Sequence, residues 1–162
     1  MKAIVLVDQN WGIGNEGKQN VFITEDLKRF KEFTTGNTII LGRKTLDTFP
    51  SKKPLPNRRN IILSRNPEYT ISGAEVFSSV EETLAALSPN EMVYVVGGAS
   101  IYQAFLPYCT EALVTKVEGN YPADCYFPSL DDKEDWTLRD KSNRKEDLSI
   151  FYRYCLYQKK KD

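Results

Sequence analysis

Short apolar runs recur along the chain at residues 4–7, 38–41, 60–63, 92–96 and 112–117. Runs of this length without alternation are the pattern of strands buried on both faces. Helical patterns lie between them. One opens at Thr24, read as its N-cap, and stops at Gly36. A second begins at Ser79, where Ser79-Val80-Glu81-Glu82 spells a capping box, and runs to Leu87 ahead of Ser88-Pro89. A third covers 100–106 and is closed by Pro107. Strands alternating with short helices predict an α/β domain with a mostly parallel central sheet flanked by helices. The last quarter differs. Residues 136–140 and 149–157 read as two strands with no helix between them, the second rich in Tyr and Phe. They predict an antiparallel hairpin at one edge of the sheet. With no repeat, low-complexity segment or linker in view, 1–162 reads as a single domain, and the lysines from Lys159 as a frayed terminus.

Composition narrows the chemistry. The chain has 162 residues, 22 Lys+Arg against 22 Asp+Glu, three cysteines and no histidine. That length buries a real core without staples. The charge balance leaves no basic footprint, so neither nucleic acid nor an anionic membrane is expected as a partner. The absent histidine excludes Ser-His-Asp and Cys-His hydrolysis and most catalytic zinc sites, and no metal is expected. Acid–base work falls to a carboxylate, Tyr, Lys, Cys or a cofactor. Cys109, Cys125 and Cys155 are odd in number and widely spaced. That favours reduced thiols and a cytoplasmic location over a disulfide framework. The first apolar run is too short for a signal peptide, and no stretch is long enough to span a bilayer.

Five segments carry candidate chemistry. Gly12-Ile13-Gly14-Asn15-Glu16-Gly17 spells G-x-G-x-x-G after a strand, but no helical apolar stripe follows it. It therefore reads as a glycine-bearing mobile loop rather than a dinucleotide fingerprint. Asp26 falls in the first turn of the Thr24 helix, where a carboxylate suits the helix dipole. Its spacing also puts it on one stripe with Phe30 and Phe33, while Lys28, Arg29 and Glu32 point toward solvent. A carboxylate there calls for a partner, and a ligand is one candidate. Gly42-Arg43-Lys44-Thr45 and Ser64-Arg65 each follow a buried strand. If those strands are neighbours, the cations and hydroxyls converge on one anionic group. Otherwise they are solvated basic turns. Val96-Gly97-Gly98-Ala99-Ser100-Ile101-Tyr102 runs a strand through two glycines into a helix, a turn that permits close approach of a diphosphate. Pro54-Leu55-Pro56-Asn57-Arg58-Arg59 is a stiffened loop whose arginines suit a carboxylate or simply solubility.

In this order and at this spacing, these segments resemble the dihydrofolate reductase family over nearly the whole chain. Glu25-Asp26-Leu27, Leu63-Ser64-Arg65, Thr115 and Asp124-Cys125-Tyr126-Phe127-Pro128 complete the match. The resemblance implies NADPH-dependent reduction of 7,8-dihydrofolate to tetrahydrofolate, in support of one-carbon metabolism, by a monomer. It makes Asp26 the single active-site carboxylate, binding the 2-amino and N3 side of the pterin with Thr115 behind it. Ile4, Val5, Leu27, Phe30, Phe49, Leu55 and Val96 match positions around the folate pocket. Arg58 matches the clamp on the glutamate carboxylate. Arg43, Lys44, Ser64 and Arg65 match the 2′-phosphate site. Thr45, Gly98, Ala99, Ser100, Ile101 and Tyr102 match the diphosphate site, with Gly97 and Gly98 joined by a cis peptide. Leu6, Ile13, Gly14, Gly17, Lys18, Gly42 and Leu63 fall at further cofactor positions, the first glycines being those of the loop that closes over the nicotinamide.

One departure is plain. Where most members carry Leu-Pro-Trp, this chain has Gln19-Asn20-Val21, and Thr24 replaces a Pro. Val21 keeps an apolar contact but supplies no N–H donor near the pterin. Two other readings stay open beside the main one: a reductase of another pterin or a pyrimidine, and a non-catalytic nucleotide- or folate-binding paralogue. Arg58 argues against the first, and Asp26 with the Gly-Gly segment against the second.

Overall fold

A computed structural model of the chain describes residues 1–161. Its elements in order are β1 (Lys2–Val7), β2 (Gly12–Asn15), β3 (Lys18–Gln19), α1 (Thr24–Thr34), β4 (Thr38–Gly42) and α2 (Arg43–Leu46). Then come β5 (Arg59–Leu63), β6 (Ala74–Phe77), α3 (Val80–Ala85), β7 (Val93–Gly97), α4 (Ala99–Phe105) and β8 (Glu111–Val117). The chain ends with β9 (Cys125–Tyr126), β10 (Trp136–Lys141), β11 (Lys145–Asp147) and β12 (Ile150–Lys159). The main sheet is ordered β10-β12-β8-β1-β7-β4-β5-β6. From β8 to β6 every pair is parallel, and β12 and β10 add antiparallel at one edge. This is the predicted α/β architecture with its C-terminal edge hairpin.

Parallel strands have both faces covered, and the runs in β4, β5 and β7 are accordingly buried: Ile39, Ile40, Leu41, Ile61, Ile62 and Val95 are almost wholly inaccessible. β1 departs from the expectation. Ala3, Val5 and Val7 are buried, whereas Ile4 and Leu6 are only half-buried. The physical reason is that Leu6 borders an open cleft.

Several local expectations are corrected. The helix α1 is entered from Ile23, whose backbone is extended and whose side chain makes no cap, and Thr24 is already helical. The Thr24 N–H instead donates to the carboxylate of Asp147, 3.1 Å away on the far edge of the sheet. Ser79 does cap α3, accepting from the Glu82 N–H at 3.1 Å, but Glu82 reaches back to Ser78 rather than closing the box on Ser79. The 12–21 segment is not an unstructured loop. β2 and β3 form a hairpin, and β9 pairs with β2 to make a second, three-stranded sheet. Its turn puts Glu16 and Gly17 at φ 51° and 78°, the doubly left-handed turn that matches strand twist. β6, β9 and β11 are four, two and three residues long, too short to show a strand period in the sequence. Lys159 and Lys160 are not frayed: their N–H groups donate to Thr110 and Asp135 at 2.9 and 2.8 Å.

Candidate active site

Because β1, β7, β4 and β5 run parallel, their carboxyl ends lie on one edge, and a cleft of about 1040 Å³ opens there. The parallel register places Gly42 directly opposite Leu63, so the turns that follow β4 and β5 stand side by side. The sequence left that adjacency conditional; the sheet supplies it. Every residue assigned to the cofactor by resemblance borders this cleft: Leu6, Ile13, Gly14, Gly17, Lys18, Gly42, Arg43, Lys44, Thr45, Leu63, Ser64, Arg65, Gly97, Gly98, Ala99, Ser100, Ile101 and Tyr102. So do Val5 and Val96 from the folate set.

The wall formed by β7 and α4 has little spare room. The Gly97–Gly98 peptide is cis, and Gly97 has φ +121°. A Cβ at Gly97 would stand 3.2 Å from the Tyr102 ring, and one at Gly98 would stand 3.3 Å from the Thr45 hydroxyl. The Tyr102 hydroxyl is tied down by donating to the Ile4 carbonyl at 2.7 Å. On the turn after β4, the Arg43 guanidinium lies 4.3 Å from the Tyr69 ring centroid, which orients a side chain otherwise in solvent. Tight glycine backbone and exposed cations on the adjoining turns suit an anionic ligand lying across the strand ends.

The second half of the site is arranged along α1. The Thr115 hydroxyl, on buried β8, donates to Asp26 Oδ1 at 2.5 Å. Burial pushes the Asp26 carboxyl above its ordinary pKa, opposed by the Thr115 hydrogen bond and by the charge of Arg29. The stripe drawn from spacing is therefore incomplete. Lys28 and Glu32 are exposed as expected, but Arg29 is half-buried, its guanidinium 3.9 Å from the Tyr154 ring centroid and 5.2 Å from that of Phe33. Its long side chain folds back under the helix because an aromatic face on β12 is there to receive it.

Ile4, Phe49, Leu55, Val96 and Phe33 pack on the apolar cluster of Ile39, Leu41, Leu46, Ile62, Tyr94 and Leu113. Phe30 is half-buried outside the three core clusters, and Leu27 on α1 is 51 % exposed. Arg58 lies at the other end of the helix, donating to the Thr34 hydroxyl at 3.0 Å and the Pro56 carbonyl at 2.9 Å. From Asp26 to Thr34 is eight residues of helix, about 12 Å at 1.5 Å per residue. Arg59, its sequence neighbour, is fully engaged by Glu75 and Glu91 and is structural.

Sequence reasoning missed three supports. Asn60 is buried on β5 and staples the 54–58 loop, accepting from the Leu55 N–H at 3.0 Å and donating to the Leu55 and Arg58 carbonyls at 2.9 and 3.0 Å. Asp8 is buried and accepts from the N–H groups of Asn10, Gly12 and Tyr121, fixing the root of the hairpin. Ser78 and Ser79, at the start of α3, also border the cleft. The capping box was a usable signal for the last pair, being another helix start after a strand. Val21 is buried with Ile23, Val117 and Tyr152, and Gln19 donates to its carbonyl at 2.6 Å. No group of three His, Cys, Asp or Glu side chains converges among the described residues.

Comparison with known proteins agrees with this geometry. The family model for dihydrofolate reductase matches residues 1–161. The chain belongs to the dihydrofolate reductase family. It is 42% identical over 124 residues to the dihydrofolate reductase of Mycobacterium leprae, covering 74% of this chain and 75% of that protein. It is 33% identical over 159 residues to the Bacillus subtilis enzyme, covering 97% of this chain and 93% of that one. Among solved structures, dihydrofolate reductase from Enterococcus faecalis complexed with NADP(H) and RAB-propyl superposes with a TM-score of 0.88. The identity is 34%, over 99% of this chain and 96% of that one. Membership in the family thus extends over the parallel sheet, the hairpin sheet and the C-terminal edge alike.

Proposed function

We propose that this chain is an NADPH-dependent dihydrofolate reductase, a single-domain cytoplasmic monomer converting 7,8-dihydrofolate to 5,6,7,8-tetrahydrofolate for one-carbon metabolism. The observation that carries the reading is a half-buried Asp26 on Thr115 near the start of α1 and, about 12 Å of helix further on, Thr34 accepting from Arg58 of the 54–58 loop. An elongated substrate with a hydrogen-bond-donating ring at one end and a carboxylate at the other matches that spacing. No helix among the described residues is long and apolar enough to cross a membrane.

The cleft fits the cofactor by its own chemistry. The close glycine backbone beside Thr45 and Ser100 suits a diphosphate, and Arg43, Lys44, Ser64 and Arg65 suit the 2′-phosphate that distinguishes NADPH from NADH. Bound there, NADPH supplies the hydride for the pterin. The rest is done by protein groups. Asp26, as an anion, accepts from the 2-amino and N3 side of the pterin and favours the protonated ring, with water as the immediate donor to N5. Thr115 holds the carboxylate in place. Val5, Val96 and Phe30 flank the ring and keep bulk water from it. Arg58 holds the glutamate carboxylate, which a substrate lacking that tail would not need.

The deciding assay is loss of NADPH absorbance with and without dihydrofolate. Consumption is expected only with dihydrofolate present. Asp26→Asn is expected to bind NADPH normally while hydride transfer at neutral pH falls by orders of magnitude. Near-normal turnover in that variant would remove Asp26 from the chemistry.

A further inference from the structure

Asp26 and Arg29 are one helical turn apart on α1, and Thr115 and Tyr154 are directly opposite each other on β8 and β12. Residues opposite one another in an antiparallel pair project from the same face of the sheet. The helix pair is thus set over the strand pair. Asp26 rests on Thr115 through a hydrogen bond, and Arg29 rests on the Tyr154 ring at 3.9 Å. Arg29 makes no ion pair within 4 Å among the described residues, so its charge is not tied to a carboxylate of its own.

We propose that Arg29, shelved on Tyr154, is a positioning residue whose charge sets the proton affinity of Asp26 for the reductase reaction. This rests on the assignment of Asp26 as the reaction's carboxylate.

The groups facing Asp26 can be named element by element. From α1 there is Arg29; from β8, the Thr115 hydroxyl; from β12, Tyr154 with Tyr152 beside it and Cys155 acting on Arg29; from α4, Tyr102. Lys145 on β11 lies behind Tyr154, 5.9 Å from its ring. Burial pushes the phenols of Tyr102 and Tyr154 and the thiol of Cys155 upward, so none of these carries charge at neutral pH. Among the described residues, Arg29 is then the cation bearing on the carboxylate. A guanidinium keeps its proton even where burial disfavours it, and the aromatic face returns part of the lost hydration.

Burial favours the protonated form of Asp26, the form that does not hold the pterin as an anion. Thr115 and Arg29 pull the other way. With Arg29 neutralised, only the hydrogen bond opposes burial, and the carboxyl must hold its proton to higher pH.

The test is the pH profile of single-turnover hydride transfer, read together with a carboxyl-carbon NMR titration of Asp26 in the ligand-free protein. Arg29→Gln is expected to move both midpoints up by about half a unit to one unit, the scale of one nearby charge at partial burial. Arg29→Lys, which keeps the charge, is expected to restore most of the shift. Tyr154→Leu, which removes the shelf but leaves Arg29, is expected to shift in the same direction as Arg29→Gln, and it serves if that variant does not fold. Arg29→Lys shifting as far as Arg29→Gln would make the role one of packing and overturn the proposal. Midpoints unmoved in both Arg29→Gln and Tyr154→Leu would do the same. Because the NMR titration needs no substrate, it decides the electrostatic claim even if the parent protein fails to reduce dihydrofolate.

Discussion

Asp26 is a residue whose usefulness and whose contribution to stability oppose each other. Burial raises its pKa in the folded chain above the ordinary 3.8. The folded state therefore binds this proton more tightly than the unfolded state does. The associated stability is fully present below the unfolded value and is lost as pH rises through the folded one. At neutral pH the ionised carboxylate opposes folding. Asp26→Asn should then raise the melting temperature of the ligand-free protein at pH 7, by about 2–4 °C for each kcal/mol relieved in a chain of this size. The gain should shrink as the pH is lowered and vanish where the parent carboxyl is protonated in both states. Thermal unfolding of both proteins from acid to neutral pH measures this. A lower melting temperature for the variant at pH 7 would mean that Thr115 and Arg29 more than offset the burial.

At the scale of elements, the legible parts were those with one dominant signal. The buried runs of β4, β5, β7 and β8 needed only apolar content, and their alternation with helices led to the parallel sheet. The β2–β3 hairpin was hidden because its strands are too short to show a period, and its stability comes from Asp8 and from pairing with β9, far away in sequence. Arg29 was placed in solvent because helical spacing cannot see an aromatic ring arriving from β12. Asn60 was similarly invisible: a polar residue at a buried strand position is explained only by the loop it holds. That loop carries Leu55 and Arg58, so Asn60→Ala has a specific consequence. Losing its three loop hydrogen bonds should cost about 2–3 kcal/mol of stability. It should also raise KM for dihydrofolate on the order of tenfold by loosening the Arg58 clamp, with KM for NADPH unchanged. Steady-state kinetics in both substrates distinguish this from general damage, which would raise the two KM values together.

For the whole molecule, a formal net charge of zero conceals an uneven distribution. Glu75 and Glu91 neutralise Arg59, and Asp131 neutralises Lys116, whereas Arg43, Lys44 and Arg65 border the cleft without a carboxylate within 4 Å among the described residues. Three unpaired cations at adjoining strand ends form a local positive region at one end of an otherwise balanced chain. Such a region selects for an extra phosphate more than it adds general affinity, since a ligand lacking the phosphate meets the same walls. Arg43→Ala combined with Arg65→Ala should therefore narrow the preference for NADPH over NADH. The change in the ratio of kcat/KM values should be on the order of tenfold or more, allowing for solvent screening of exposed charges. Most of it should come from NADPH, with NADH kinetics little altered. The parent's preference should also weaken as salt is added, and that dependence should flatten in the double variant. An unchanged cofactor ratio would place the 2′-phosphate elsewhere. An equal loss with both cofactors would instead mark these arginines as supports of the strand-end turns, a role their exposed position argues against.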